Sequence, residues 1–398
     1  MSRSQAIPLL NTPLRKRFAS PYDLILISVS LFLVLTGLVM VASSSISIAE
    51  NLYSDPLHYF WRQSFSVVMG FFAAFIIINV PLSVWEKLST YFLLIAIMSL
   101  VLVLIPGVGR EVNGSMRWIN LGPINIQSSE IAKACMILYL AGYMIRHEEK
   151  LRDSFSGFIR PIIVVTLISG LLLLEPDYGS AVVIFATALG MIFMGGVPLS
   201  RFFIWVTTAS AALLSLAVLS PYRLQRLTSF MDPWQDPFNT GFQLTQALIA
   251  FGRGDWFGVG LGSSIQKLFY LPEAHTDFVY AVLSEEFGLV GSILIIALYF
   301  VLIWRAFLIG DCAHRAGRLF SAYLAYGVGL FIGIQAFINI GVNMGVLPTK
   351  GLTLPLISYG NNSIIICMIL IALLIRIEME NRLSKKTSVS ARYEAHVI

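Results

Sequence analysis

Two carboxyl groups and one imidazole lie within five residues of each other in the segment Tyr270–Phe278. They belong to Glu273, His275 and Asp277, and a long apolar block follows them directly. A carboxylate at the start of a helix is favoured by the helix dipole and stays ionised at neutral pH, so it can act as a general base. The alternative is structural, because Thr276 or Asp277 also suits the N-cap of that helix. The two roles are compatible, and the residues leave both open.

Cations near the polar segments form a second group of candidates. Lys350 is the only charged residue between Leu347 and Gly360, and a point charge on a flexible stem suits a pyrophosphate. It could equally be a lysine whose stem covers apolar surface while its ammonium reaches water. Arg117 and Trp118 could hold a phosphate and the face of a sugar, although a boundary tryptophan more often serves as an interfacial anchor.

Several charged residues fall inside apolar blocks, where charges are usually paired and often functional. Lys133 follows Glu130 by three residues, the spacing at which two helical side chains can form an ion pair. Asp177, Glu285 and Glu286 are further charges of this kind. They could line the path of a polar head group, which keeps a transport function open.

The membrane character of the chain follows from its composition. Of 398 residues, 57% are hydrophobic and 12% are charged, whereas a soluble domain has about 25% charged residues. The apolar residues form blocks of roughly 17–25, the length that crosses a ~30 Å hydrocarbon core. Such blocks must be helical because lipid offers the backbone no hydrogen-bond partner. The sequence therefore predicts an all-α polytopic membrane protein. It carries no sign of nucleic-acid binding, a disulfide framework or a structural zinc site.

About ten transmembrane helices are predicted. With the N-terminus inside, eighteen Lys and Arg residues fall inside and eight outside, which favours an N-in, C-in orientation. Residues 1–22 are then a cytoplasmic segment, 23–376 the transmembrane domain, and 377–398 a loosely ordered cytoplasmic tail. The predicted spans are Leu24–Ala42, Ser64–Val80, Leu88–Ile105, Ile131–Ile145, Pro161–Leu174, Ser180–Gly196, Phe203–Leu219, Phe278–Ile303, Phe320–Val342 and Ile357–Ile375.

Three outer segments are rich in Gly, Pro, Trp and polar residues: Gly107–Glu130, Pro221–Asp277 and Asn343–Ser358. The middle one, between the seventh and eighth spans, is the longest connection, and long connections are usually functional or disordered. Its aromatic residues favour packing on the outer membrane face or into the bundle, and a helix is expected from Phe242 to Phe251. Four cations, Arg253 among them, and five acids in it make no bulk anion trap. A diphosphate there would need converging cations or a bridging divalent metal.

A series of motifs in one order gives the chain a resemblance to a known family. They resemble the SEDS family (shape, elongation, division and sporulation; also FtsW/RodA/SpoVE), over roughly residues 20–380, and look closest to its cell-division branch. The motifs are Arg117-Trp118, Gln127–Glu130 with Lys133, Pro176–Gly179, Asp232–Pro237, Gly241–Gln246, Gly258–Gly262, Pro272–Phe278 and Leu347–Ser363.

The resemblance implies a peptidoglycan glycosyltransferase that polymerises lipid II on the periplasmic side of the bacterial inner membrane, at the division septum. The essential acid falls on Asp277, which would deprotonate the 4-hydroxyl of the acceptor GlcNAc. That oxygen would attack C1 of the donor MurNAc, invert it and expel undecaprenyl pyrophosphate. Cations, with a divalent metal such as Mg or Mn, would stabilise the leaving diphosphate. The candidate substrate- and pyrophosphate-binding residues are Lys350, Arg253, Arg117, Lys133, Trp118, Glu273 and His275.

The resemblance also implies partners: a class B penicillin-binding transpeptidase, other divisome proteins and membrane lipids. The chain departs from the family pattern in three places. Ser128 stands where a proline is usual, and Asn125 stands where a basic residue is frequent. Asn361 and Asn362 stand where a glycine and a serine usually follow Tyr359-Gly360, which adds side-chain bulk near Lys350.

Two other functions compete with polymerisation. A lipid II flippase would use the charges inside the spans, although the chain has no visible inverted repeat. A non-catalytic divisome scaffold would use the broad apolar faces and the basic tail. The substitution Asp277→Asn separates them, because a flippase or a scaffold should tolerate it and a polymerase should not.

Overall fold

The computed structural model describes residues 22–112, 115–120, 125–218, 230–239, 241–349 and 351–397. Helices dominate this part of the chain, as they must where lipid cannot bond the backbone. They are α1 (Leu24–Tyr53), α2 (His58–Asn79), α3 (Leu82–Leu104), α4 (Ser128–Arg146), α5 (Glu148–Asp153), α6 (Phe155–Leu174), α7 (Tyr178–Met194), α8 (Leu199–Val218), α9 (Phe242–Gly254), a π-helical turn (Gln266–Tyr270), α10 (Val279–Arg315), α11 (Leu319–Asn343) and α12 (Asn361–Val397).

The predicted membrane class is confirmed. Each of the ten predicted spans overlaps one helix, and seven helices in the described part of the chain are long and apolar enough to cross a membrane. These seven are α1, α2, α3, α6, α10, α11 and the first part of α12. The number of crossings and the N-in, C-in orientation stay predictions.

The helices α4 and α11 form the centre of the bundle. Nearly every residue of α4 from Ser128 to Met144 is buried, because α3, α6, α7, α11 and α12 pack around it. By contrast, α1, α2 and α3 expose many large apolar side chains. Polar groups on α4 and α11 therefore lie in the interior, where they need protein partners.

A small antiparallel sheet occupies the first outer segment, for which the sequence analysis predicted no strands. Its strands β1 (Gly109–Val112), β2 (Ser115–Asn120) and β3 (Asn125–Gln127) lie in chain order. Trp118 pairs with Arg110 on one side and with Gln127 on the other. Because α4 begins directly after β3, the sheet fixes Arg117 and Trp118 at the outer end of α4.

The helix α10 is interrupted at Gly288, whose φ of 68° and ψ of −165° suit only glycine. The connection that follows α9 passes across this break. Four hydrogen bonds of 2.8–3.1 Å join its backbone to backbone groups on both sides of the break. They join Val259 to Glu285, Gly260 to Glu286, Leu289 to Asp255 and Val290 to Trp256. The long outer connection is thus built into the bundle, and α9 confirms the helix predicted from Phe242.

The tail is helical, because α12 continues to Val397. The buried Asn381 donates to the backbone oxygen of Ile309 on α10 at 3.1 Å. Arg382 pairs with Glu378 one turn earlier at 2.6 Å. These contacts extend the helix beyond its apolar part.

Candidate functional site

Asp277 lies directly before α10 and does not cap it. The N-cap residue is Phe278, whose side chain makes no capping hydrogen bond, so the N-cap role predicted for Thr276 or Asp277 is wrong. The Thr276 hydroxyl instead donates to a carboxylate oxygen of Glu273 at 2.7 Å. The Asp277 carboxylate lies against the chain at Gly351, where a Cβ would be only 3.0 Å from Oδ2. Gly351 follows Lys350, which lies outside the described residues.

Two buried amides on α11 hold the backbone of Asp277. Asn339 and Asn343 each donate Nδ2 to the Asp277 carbonyl oxygen at 2.9 Å. Asn343 also accepts from the backbone N–H of Ala281 at 3.1 Å, in the first turn of α10. Residues four apart share one face of a helix, so α11 presents the two amides side by side. The position of Asp277 is therefore set by α11 as well as by its own chain.

The same face of α11 holds the segment that follows Lys350. Asn339 donates to the carbonyl oxygen of Leu352, and Gln335 donates to that of Thr353 at 2.9 Å. Three amides at positions 335, 339 and 343 thus bind the Asp277 backbone and residues 352–353 to one helix. None of the three was predicted as a site residue from the sequence, although their four-residue spacing within an apolar span was the available signal.

Lys133 reaches this arrangement through Gln335. Its ammonium pairs with Glu130 at 2.7 Å, which confirms the predicted i,i+3 pair, and donates to the Gln335 side-chain oxygen at 3.2 Å. The ring of Phe331 lies 5.5 Å from the same nitrogen. Lys133 is buried and paired with Glu130, and Gln335 links it to residue 353.

The N-terminal end of α7 also meets the site. Gly179, in the first turn of α7, packs so closely on Leu352 that a Cβ would lie 2.8 Å from the leucine side chain and 3.4 Å from the Gly351 oxygen. Asp177 caps this helix by accepting from the backbone N–H of Ser180 at 3.2 Å. The Asp277 carboxylate, residues 351–352 and the start of α7 therefore converge.

Arg117 fixes the turn before α7. Its guanidinium donates to the carbonyl oxygens of Glu175 and Pro176 at 3.4 and 2.6 Å. Ser128, which replaces the usual proline, donates its hydroxyl to the buried Glu175 carboxylate at 2.9 Å. Burial raises the pKa of Glu175, which lies between the spans, to about 8. The half-buried Trp118 follows Arg117 on β2.

Two other departures from the family pattern contact each other. Asn362 donates its side-chain amide to the backbone oxygen of Asn125 at 2.9 Å. Asn361 accepts from the hydroxyl of Ser66 on α2 at 3.0 Å. These residues therefore tie the start of α12 to β3 and α2.

Arg253 belongs to a separate cluster at the break in α10. It pairs with the buried Glu285 at 3.0 Å. Lys267 pairs with the buried Glu286 at 2.7 Å and donates to the Ser43 hydroxyl of α1 at 2.9 Å. Glu285 follows Asp277 by eight residues, or ~12 Å along a helix. Arg253 and Lys267 are thus each paired with a glutamate. Neither of these two ion pairs involves the Asp277 carboxylate.

His275 lies on the other side of Asp277, among aromatic rings. Its backbone oxygen accepts from the N–H of Tyr359 at 2.9 Å, and its ring centroid is 4.5 Å from that of Tyr59. Burial lowers the pKa of His275 and favours the neutral ring, while Glu273 acts in the opposite direction. Glu273 itself is exposed.

A metal site made by protein alone is not found within the described ranges. No three His, Cys, Asp or Glu side chains converge there to hold an ion. Magnesium usually binds one or two carboxylates and completes its shell with water and substrate phosphates.

Comparisons with known proteins agree on one family. The FTSW_RODA_SPOVE family model, described as cell cycle protein, matches residues 23–383. A probable peptidoglycan glycosyltransferase FtsW of Nitrosococcus halophilus is 55% identical over 91% of this chain and 94% of its own. The corresponding Legionella pneumophila protein is 51% identical over 91% of this chain and 92% of its own.

Solved structures agree as well. A chain from a peptidoglycan synthase complex that coordinates polymerization and crosslinking is 29% identical, with a TM-score of 0.75, and the match covers 90% of this chain and 98% of that one. The rod shape determining protein RodA of Thermus thermophilus is 27% identical, with a TM-score of 0.66, and the match covers 90% and 96%.

Proposed function

Because the chain belongs to the FTSW_RODA_SPOVE family of cell cycle proteins, we infer that it is a peptidoglycan glycosyltransferase that polymerises lipid II. It is a multi-pass membrane protein. The observation that carries the choice of catalytic group is the clamp on Asp277. Its backbone is held by two amides of α11 while its carboxylate faces the residue that follows Lys350. A group held in this way keeps a fixed position relative to bound substrate.

In the proposed reaction, the Asp277 carboxylate takes the proton of the 4-hydroxyl of the acceptor GlcNAc. The oxygen forms a bond to C1 of the donor MurNAc as the bond from C1 to the pyrophosphate breaks, so the configuration at C1 inverts. Undecaprenyl pyrophosphate leaves with the bonding electrons. Lys350 and Arg117 are the first cations for the diphosphate, and Lys133 ranks behind them because Glu130 neutralises it. Arg253 ranks behind them, because Glu285 already neutralises it.

A divalent cation, Mg or Mn, remains part of the proposal. With no three-ligand protein cage in the described ranges, it would take most of its ligands from substrate phosphates and water. It would add positive charge at the leaving group. Trp118, Glu273 and His275 complete the proposed substrate-binding residues.

The proposed setting is the periplasmic side of the bacterial inner membrane at the division septum. A class B penicillin-binding transpeptidase is the proposed working partner, with other divisome proteins around the pair. The flippase alternative loses support, because Glu285, Glu286 and Lys133 are buried in ion pairs and do not line an open path.

The test is glycan synthesis from purified lipid II in detergent, with the protein and its cognate transpeptidase. Wild type should make long strands, and Asp277→Asn should fold, bind its partner and make none. Glu273→Gln is the comparison variant: it removes an exposed carboxylate of the same segment that we place in substrate binding, so it should raise the KM for lipid II without abolishing strand synthesis. Equal synthesis by all three proteins would show that Asp277 is not the base. An inactive wild type in an intact complex would favour transport or scaffolding.

A further inference from the structure

Five aromatic rings form a continuous cluster at the predicted outer end of the bundle. The ring centroids of neighbours lie 3.9–5.8 Å apart, within or near the usual range for interacting rings. They come from the end of α1, the start of α2, the segment before α10 and the segment before α12. The members of this ring cluster are Tyr53, His58, Tyr59, His275 and Tyr359.

The ring cluster begins beside the proposed catalytic group. His275 precedes Asp277 by two residues, and Tyr359 bonds the His275 backbone at 2.9 Å. From there the rings run through Tyr59 to Tyr53, which stacks on His58 with ring planes 10° apart. The ring cluster therefore extends from the segment that carries Asp277 to the end of α1.

The ring cluster combines apolar ring faces with polar ring edges. Tyr53 is 48% exposed, and His58, Tyr59 and Tyr359 are half-buried, so part of each of these side chains remains accessible. His275 is 6% exposed, and its Nδ1 has no hydrogen-bond partner in the described part of the chain. The same holds for Nε2 of His58. Buried polar atoms normally have partners, so two such nitrogens in one cluster point to a ligand that carries hydrogen-bonding groups.

A hexosamine ring has the matching chemistry. Its C–H face can lie on an aromatic ring, and its hydroxyl and amide groups can bond tyrosine hydroxyls and imidazole nitrogens. We propose that the ring cluster binds a sugar of the glycan next to the one that reacts at Asp277. This inference rests on the proposed polymerase function and names a sugar-binding site for it.

The competing explanation is a belt of aromatic anchors at the membrane boundary. Trp61 provides the matched control. It lies two residues after Tyr59 on α2 and is 61% exposed, but its ring contact is with Phe60 and not with the ring cluster. A belt role predicts similar effects from Trp61→Leu and Tyr59→Leu, whereas a sugar site predicts an effect from Tyr59→Leu alone.

Two measurements test the proposal on the full-length protein. Gel analysis of strands made with the cognate transpeptidase gives product length and the KM for lipid II. Saturation-transfer NMR with chitotetraose as the probe reports sugar binding without catalysis. Tyr59→Leu and Tyr53→Leu should shorten the strands and raise KM about fivefold, which corresponds to ~1 kcal/mol. Both should weaken saturation transfer, Tyr59→Phe should restore it in part, and Trp61→Leu should match wild type.

Unchanged strand length and saturation transfer in both tyrosine variants would overturn the proposal, as would equal losses in Trp61→Leu. Tyr53→Leu covers the case in which Tyr59→Leu does not fold, because Tyr53 is exposed. If wild type makes no strands but binds chitotetraose through Tyr59, the sugar site stands and the polymerase function fails. If strands form and only Asp277→Asn abolishes them, while the ring variants behave as wild type, the sugar site alone fails.

Discussion

The substitution Asn339→Leu should separate the positioning of Asp277 from the stability of the bundle. Leucine has nearly the shape of asparagine and no donor. Asn339 donates to two backbone oxygens, those of Asp277 and Leu352. In the variant, Asn343 still donates to the Asp277 oxygen, at 2.9 Å in the wild type. The Leu352 oxygen, by contrast, loses the hydrogen bond from Asn339.

The expected cost follows from these bonds. A buried acceptor left without its donor destabilises a protein by about 1–3 kcal/mol. The catalytic rate should respond more strongly than the stability, because a shift of about 1 Å in a catalytic group can lower the rate on the order of 100-fold. We expect kcat to fall by about 10- to 100-fold with KM for lipid II nearly unchanged.

The control is Asn381→Leu on α12, which lies away from the Asp277 site. Asn381 is also buried and donates to a backbone oxygen, that of Ile309, at 3.1 Å. Thermal unfolding in detergent should show a comparable loss in both variants, and strand synthesis from lipid II gives kcat and KM.

Only Asn339→Leu should lose activity. Equal activity losses in the two variants would mean that Asn339 acts through general stability. An unchanged kcat for Asn339→Leu, in protein shown to be folded, would refute the positioning role.

Three further predictions concern stability, measured by thermal unfolding. Burial raises the pKa of Glu175 from 4.5 to about 8, so the folded state holds this proton more tightly and stability falls as pH rises between these values. Glu175→Gln should remove that fall between about pH 4.5 and 8, and stability curves that fall in parallel for the two proteins would contradict it. Lys267→Met leaves Glu286 buried without its cation and should cost about 3–5 kcal/mol, most of it recovered by adding Glu286→Gln. Gly288→Ala should strongly lower stability, because the residue has a φ of +68° and a Cβ would lie 2.4–2.6 Å from backbone atoms of residues 256–258. Gly170→Ala, with open space around it, should be tolerated, and similar yields of the two variants would contradict this.

The predicted spans and the pairing of Lys133 with Glu130 depended on local patterns that the sequence states directly. Apolar length determines which segments enter the bilayer, and a three-residue spacing determines which side chains meet on a helix. The start of α9 was predictable for the same reason, and so was the placement of Asp277 at the start of a span.

The missed features depend on contacts between distant segments. In the sequence, Gly288 is one of several glycines in an apolar block. The break there is possible because the connection after α9 hydrogen-bonds the backbone groups that lose their helical partners. The pairing of Glu285 and Glu286 with Arg253 and Lys267 likewise joins segments that no local spacing relates. The helix continues past Arg376 with a contact between Asn381 and Ile309 on α10, and amino-acid composition alone does not predict such a contact.

The break at Gly288 also affects how the protein sits in its bilayer. Residues 279–287 form a short helix of their own, held at one end by α11 and at the other by the outer connection. The longer piece, residues 289–315, is the part that must match the bilayer, and helices adapt to bilayer thickness by tilting. Residues 255–260 bond both residues 285–286 and residues 289–290, so a tilt of the longer piece is passed on to the short helix. The geometry at Asp277 should therefore respond to membrane thickness through this connection.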